Sequence, residues 1–345
     1  MSAPVITAWQ TYSPLGHGAD SHMQELRSPT GGGTAGPAVR DFEVREILGR
    51  TGTRSMDRVA GLAVATTARL LEEIGTPESR FGGYAPEEVA LVLGTSDGFS
   101  SVSAFLRDSW TRSKPYDVDP SHVPRTLMNF AAGQCAIRHG IKGPNTTICG
   151  SHATGLLTLN YARRLQHNGH ARATVWGAVE EISPERLAVE AARLDGPPER
   201  PASEGCVMFL LESPGEVPPE RTPLAEVLAV EFGVWADTDS IRSALAACLR
   251  RAMTRAEVTA GDVFAVAPSE STGARGAAEQ RAVEDVLGTV PLLTATVDAV
   301  GDARAVSAAF QMVELMGADA GPGRVGVVTT SDAEGRVGCA LLRLR

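Results

Sequence analysis

The sequence predicts a layered α/β protein whose sheet is covered by helices on both faces. Three observations lead there. Short apolar, β-branched runs alternate with stretches of helical periodicity, the order expected of a layered α/β architecture. Several of these runs are apolar throughout, as in strands buried on both faces. The helical stretches place their apolar residues along one side, as Leu156, Leu159, Ala162 and Leu165 do, so each has one face to bury.

The elements follow in order. The first strand is expected at Val5–Trp9 (VITAW), and Asp57–Ile74 has the one-sided apolar spacing of a long helix. Val89–Leu93 (VALVL) reads as a fully apolar strand, Ser101–Arg112 as a helix and Thr146–Cys149 (TTIC) as a short strand. A helix over Thr154–His167 is followed by strands at Thr174–Val179 (TVWGAV) and Cys206–Glu212 (CVMFLLE). In the last third, strands are expected at Leu224–Phe232, Val263–Ala267, Leu292–Val297 (LLTATV), Arg324–Thr329 and Cys339–Leu344. Helices are expected between them at Ser240–Ala256, Ala277–Leu287 and Ala303–Met316. Gly and Pro mark Ser28–Val39 and Gly196–Ser203 as loops, and the proline-dense Ser213–Pro223 as the join between two halves, 1–215 and 216–345.

Composition bounds the function. A chain of 345 residues, 43% hydrophobic and 21% charged, is ordinary globular material with ample core. A net charge of -9 argues against a broad face for nucleic acid, and any anionic partner would need a local cluster of arginines. Cys135, Cys149, Cys206, Cys248 and Cys339 are odd in number and contain no CxxC pair, which suggests reduced, mostly buried thiols in a cytoplasmic protein. Cys149 is expected to face the sheet. The N-terminal residues MSAPVITAWQ carry no signal-peptide pattern. No apolar run approaches the ~18 residues of a membrane span.

The segment Ile141–Pro184 carries the chemistry. A strand ends near Cys149, a Gly/Ser turn follows, and a helix opens near Thr154. Such an elbow presents one side chain at a helix N-terminus, where backbone N–H groups favour negative charge and lower a thiol's pKa. Around it stand Gly143-Pro144, a Leu-rich helix and a strand ending in Gly177-Ala178-Val179-Glu180. Further on comes Glu204-Gly205 followed by Val207–Glu212. Upstream are the SPLG turn within Val5–Gly16, Gly94-Thr95-Ser96 and Met128-Asn129. Together these residues resemble the β-ketoacyl synthases, well over Val5–Glu212 and weakly over the last third. The resemblance implies a thiolase-like fold of two related halves in α-β-α-β-α layers.

Departures from that family's pattern decide the expected activity. The resemblance places His152 where the condensing enzymes have their nucleophilic cysteine, and an imidazole cannot form the durable thioester of that chemistry. Pro268 stands at the first catalytic histidine, with Glu279 retaining the family's glutamate. Asp302, after Gly301, stands at the second histidine, and Val297 at the lysine. Neither proline nor valine can donate to a thioester carbonyl, and aspartate is ordinarily ionised. The oxyanion loop reads Ser331-Asp332-Ala333-Glu334-Gly335-Arg336-Val337. It puts two acids where negative charge would develop.

No catalytic residue, cofactor or metal is therefore expected. His167 and His170 form an HxxH pair without further ligands, read as a solvated helix end capped by Asn168-Gly169. Arg163 and Arg164 read as a solvated helix face, with docking of an acidic carrier protein as the alternative. Glu180 and Glu181 read as structural.

The resemblance implies a chain-length factor of a type II polyketide synthase. Such a subunit pairs with a cysteine-bearing ketosynthase as a heterodimer, meets acyl carrier protein mainly through that partner, and supplies the far wall of the product tunnel. Histidine at the elbow, where such subunits usually carry glutamine, and a short chain suggest a divergent branch, conceivably one handling polyene-like chains. Phe99, Ser103, Leu127, Met128 and Phe130 are the candidate tunnel residues, by position. The interface should be large and apolar. Two rivals remain: an acyltransferase or malonyl decarboxylase using His152 with Ser151 or Asp302, and a stand-alone acyl-binding homodimer.

Overall fold

The computed structural model describes residues 3–28, 37–96, 99–193, 200–269 and 271–345, with the side chains of Phe99, Ser100 and Arg193 excepted. The expected loop at Ser28–Val39 and the one at Gly196–Ser203 thus fall largely outside the described residues. The first half runs β1 (Val5–Ser13), β2 (Gly16–His17), α1 (Ala19–Leu26), α2 (Val44–Leu48), α3 (Arg58–Ile74), β3 (Val89–Gly94), α4 (Phe99–Thr111) and α5 (Phe130–His139). It continues with β4 (Asn145–Ile148), α6 (Thr154–His167), β5 (Ala173–Glu180), α7 (Pro184–Arg193) and β6 (Gly205–Glu212). The second half holds β7 (Ala225–Val234), α8 (Thr238–Ala256), β8 (Val263–Ala267), α9 (Gly273–Leu287), α10 (Ala295–Val300), α11 (Ser307–Met316), β9 (Val325–Ser331) and β10 (Arg336–Leu344). Among the described residues no helix is long and apolar enough to cross a membrane.

Strand pairing reveals a repeat that the residues do not spell out. The sheet order is β4-β3-β5-β6-β1-β7-β10-β9-β8. In the first half β3 is parallel to β5, β5 antiparallel to β6, and β6 antiparallel to β1. In the second half β8, β9, β10 and β7 repeat those three relations. The halves join where Val5 and Ile6 of β1 pair with Glu226 and Ala225 of β7.

Burial divides this sheet into five layers. One apolar cluster packs α3 and α5 on the outer face of the first half, and another packs α8 and α9 outside the second. Between them α6 and α11 share a cluster drawn from both halves. The two central helices approach closely at Gly155, where an added Cβ would lie 3.0 Å from both Ala308 Cβ and Ala309 N. At the start of α3, Asp57 accepts from Ala60 N at 2.9 Å, a side-chain cap that satisfies one otherwise orphaned donor.

Two expectations need correction. The run Leu292–Val297 is not a strand: only Leu292 makes a parallel bridge, to Val266, where the first half has β4, and Ala295–Val300 is helical. The carboxylate of Glu314 on α11 accepts from Ala295 N and Thr296 N at 3.0 and 3.1 Å, so a tertiary cap overrides the β-branched local preference. Cys149 is exposed rather than buried, because β4 is the edge strand of the sheet; the other four thiols are buried as expected. The expected helices and the other strands are present, α6 and β8 with the expected ends and the rest with shifted ones, and α1, α2, α5 and α7 are additional.

Candidate functional site

The elbow lies between β4 and α6. Ser151 takes φ 49°, a left-handed conformation unusual for a residue with a Cβ, and a short 3-10 turn over Ser151–Ala153 leads into α6. Thr154 Oγ1 donates to Ser151 O at 2.6 Å and closes the turn. A Cβ at Gly150 would lie 2.5 Å from Leu157 Cδ1, so any larger residue there must displace the end of that side chain.

His152 bridges the two halves of the molecule. Its Nε2 lies 2.9 Å from Asp302 Oδ1, with the two side chains 20% and 30% exposed. An ionised carboxylate only accepts, so Nε2 carries a proton and donates it to Asp302. Nδ1 lies 3.3 Å from Ser151 Oγ, so the neighbouring side chains do meet across this turn. Ser151 is buried, and 3.3 Å is long for an O–H···N bond. Both imidazole nitrogens are thus engaged.

Asp302 is held rigidly. Its N–H donates to Pro201 O at 2.9 Å, and its carbonyl accepts from Ser203 N at 2.7 Å and Arg186 Nη2 at 3.1 Å. Its Oδ1 also accepts from Arg304 N at 3.0 Å. Behind it runs a chain of ion pairs that the sequence did not disclose: Arg186 to Glu190 (2.7 Å), Glu190 to Arg304 (3.2 Å), Arg304 to Glu334 (3.7 Å) and Glu334 to Arg336 (3.2 Å). Arg186 and Glu190 are an i,i+4 pair on α7, a spacing the sequence does show, but their links to Arg304 and Glu334 join distant segments that no spacing signals.

The remaining predicted positions are structural in their contacts. Pro268 follows β8, and its carbonyl accepts from Gln311 Nε2. Glu279 is fully buried, which pushes its carboxyl up; bonds from Ser269 N, Ser269 Oγ and Thr329 Oγ1 oppose that shift. Val297 is buried on α10, and its carbonyl accepts from Arg200 at 3.3 Å. Asp332 folds onto its own turn, accepting from Glu334 N at 3.0 Å and Arg336 N at 2.9 Å, and burial raises its carboxyl. The expected oxyanion loop is thus a tight hairpin between β9 and β10, closed by an acid.

Leu127, Met128 and Phe130 line one small pocket together with Thr95, Ser101 and Arg125. Ser103 is half-buried on α4 and stands apart from those lining residues; the Phe99 side chain lies outside the described residues. Around this pocket Leu106, Trp110, Tyr116, Val123 and Ile137 are exposed, an unusual density of large apolar groups. Cys149 Sγ donates to Ser96 O beside it. His167 and His170 are exposed at the end of α6.

Comparison with known proteins now places this geometry. The family model for the β-ketoacyl synthase N-terminal domain matches residues 12–196, more than half of the 345-residue chain. The chain belongs to the β-ketoacyl synthase family. A chain of the ishigamide ketosynthase/chain length factor matches it with a TM-score of 0.86 and 36% identity, over 99% of both chains. A ketosynthase structure solved with its type II polyketide synthase acyl carrier protein and a hexaketide shares the fold, with a TM-score of 0.82 and 13% identity over 100% of each chain. The 3-oxoacyl-[acyl-carrier-protein] synthase 2 of Vibrio harveyi is 28% identical over 145 residues, 42% of this chain and 34% of that protein. Its namesake from Synechocystis sp. is 26% identical over 191 residues, 51% of this chain and 45% of that protein. The chain therefore matches less than half the length of these curated relatives.

Proposed function

We propose that this β-ketoacyl synthase family member is a non-condensing chain-length factor of a type II polyketide synthase. It pairs with a cysteine-bearing ketosynthase and lines the far wall of the product tunnel. The observation that carries the reading is the elbow itself. An imidazole stands where the family's nucleophilic thiol is expected, and it is bound at Nε2 by Asp302 and faced at Nδ1 by Ser151. An imidazole in that position forms no durable thioester to hold a growing chain. The whole-length likeness to a ketosynthase/chain length factor chain supports the pairing. So does the exposed apolar surface around Leu127 and Met128, which suits a large interface beside edge strand β4. Acyl carrier protein then meets the complex mainly through the partner.

One observation favours a second reading, acyl transfer by this chain. Ser151, His152 and Asp302 form a connected row. Against it, Ser151 is buried and lies 3.3 Å from the imidazole, long for the bond a general base would need. Intact-protein mass spectrometry separates the two. The chain is exposed to acyl-carrier thioesters alone and co-purified with its neighbouring ketosynthase. Acyl mass on the partner alone, in a one-to-one complex, supports the non-condensing role. An adduct on this chain, mapped to Ser151, His152 or Cys149, makes it an acyltransferase.

A further inference from the structure

The described residues include a cleft whose charge is out of balance, at the end of α6 opposite the elbow. Its volume is about 720 Å³, and it opens where the C-terminal ends of α6 and α8 meet β7. Arg163, Arg164, His167 and Arg255 line it, and Glu257 is the acid among its described lining residues. Just behind the lining, Glu231 on β7 accepts from Arg251 Nε at 3.1 Å and from Arg255 Nη1. Arg163 senses both Glu231 and Arg255, so three guanidinium groups share one carboxylate.

Arg163 is the uncompensated member. It makes no hydrogen bond or ion pair with any described residue, and its Nε is buried without a partner. Burial first, and repulsion from Arg255 second, hold its guanidinium below its usual range, with Glu231 opposing. In a chain of net charge -9 this is a concentration of positive charge against the overall balance. Withdrawing an arginine from water beside another is unfavourable unless an anion completes the site. The sequence had offered Arg163 and Arg164 as a solvated helix face, or as a docking point for an acidic carrier protein.

We propose that this cleft binds a phosphate group carried by a small molecule. Phosphate offers several acceptor oxygens to planar guanidinium forks, and arginine is the side chain suited to take them pairwise. The volume exceeds what phosphate alone would fill and falls in the range of small-ligand pockets. The inference stands apart from the chain-length reading, because the cleft shares no residue with the elbow or the tunnel pocket.

Thermal unfolding of the full chain tests it. The additions are sodium phosphate, coenzyme A, and sodium chloride at matched ionic strength. Phosphate or coenzyme A should raise the midpoint by roughly 1–3 °C near saturation, beyond the chloride control. A larger effect of coenzyme A identifies a phosphate ester as the ligand; an equal effect identifies inorganic phosphate. Arg163→Gln should abolish the rise while leaving the unliganded protein no less stable. Arg164→Gln, on the exposed rim, should weaken phosphate binding by roughly fivefold, as loss of one surface ion pair does. A rise no greater than with chloride, or one that survives Arg163→Gln, overturns the proposal.

Discussion

His152 is tethered to Asp302 across the two halves, so its replacement should register in stability before it registers in turnover. His152→Ala removes a partly exposed hydrogen bond and leaves Asp302 still bonded to Arg304 N. The expected loss is about 1 kcal/mol, read by denaturant unfolding. Product formation by the paired complex should stay within about twofold of wild type, whereas a catalytic nucleophile would lose orders of magnitude. At the pocket lined by Leu127, Met128 and Phe130, the proposed role predicts an effect on product rather than on rate. Phe130→Ala opens space beside Leu127 and Met128, and Met128→Trp closes it. Mass analysis of products should show longer chains with the first and shorter chains with the second. Unchanged lengths would remove these residues from the tunnel.

The crossing of α6 and α11 is the element on which the elbow's position depends. Gly155 is the second residue of α6, and α11 backbone already sits at contact distance from the place its Cβ would occupy. Gly155→Val must push α11 away from the shared core. That overpacking should cost roughly 3 kcal/mol in equilibrium unfolding, against a small effect at an exposed helical position. Because 3-10 turns at both helix starts carry Ser151 and Arg304 at positive φ, displacement should also loosen the His152–Asp302 contact. Loss of the partner complex in size-exclusion chromatography would be the second readout. α10 shows the same dependence at smaller scale, since its first N–H groups are satisfied by Glu314 of α11 rather than by any residue of its own segment.

Across the whole molecule, two buried histidines make stability fall in acid. His22 on α1 stacks on Phe310 of α11 at 5.5 Å, and His139 accepts from Arg80 at Nδ1 while its Nε2 donates to Val64 O. Burial lowers both to about 4 from 6.5. A lowered histidine binds its proton later in the folded than in the unfolded chain. Stability from these groups is therefore complete above pH 6.5 and lost as pH falls toward about 4. The span is on the order of 3 kcal/mol for each. The raised carboxyls of Glu279 and Asp332 act in the opposite sense, losing stability as pH rises past the ordinary carboxylate range. Thermal midpoints from pH 7.5 to 5 should fall, and His22→Gln should flatten part of that slope. An equally steep slope in the variant would clear His22 of the effect.

Local periodicity determined much of this protein from the sequence alone. Thr154–His167 is helical over the range its apolar spacing implied, and the apolar runs became β3, β5 and β6. Each of these depends on which face of a segment is apolar, and that information is carried by neighbours in the chain. Tertiary structure decided what covers those faces. It turned Ala295–Val300 into a helix through Glu314, and left Cys149 exposed by placing β4 at the sheet edge. It also brought His152 to Asp302, 150 residues along the chain. The repeat of the two halves belongs to the same category, since it lies in strand pairing and not in recurring residues. A segment's own residues set how much of it must be buried, but the partner that buries it, and the charge that meets it there, come from distant chain that no spacing records.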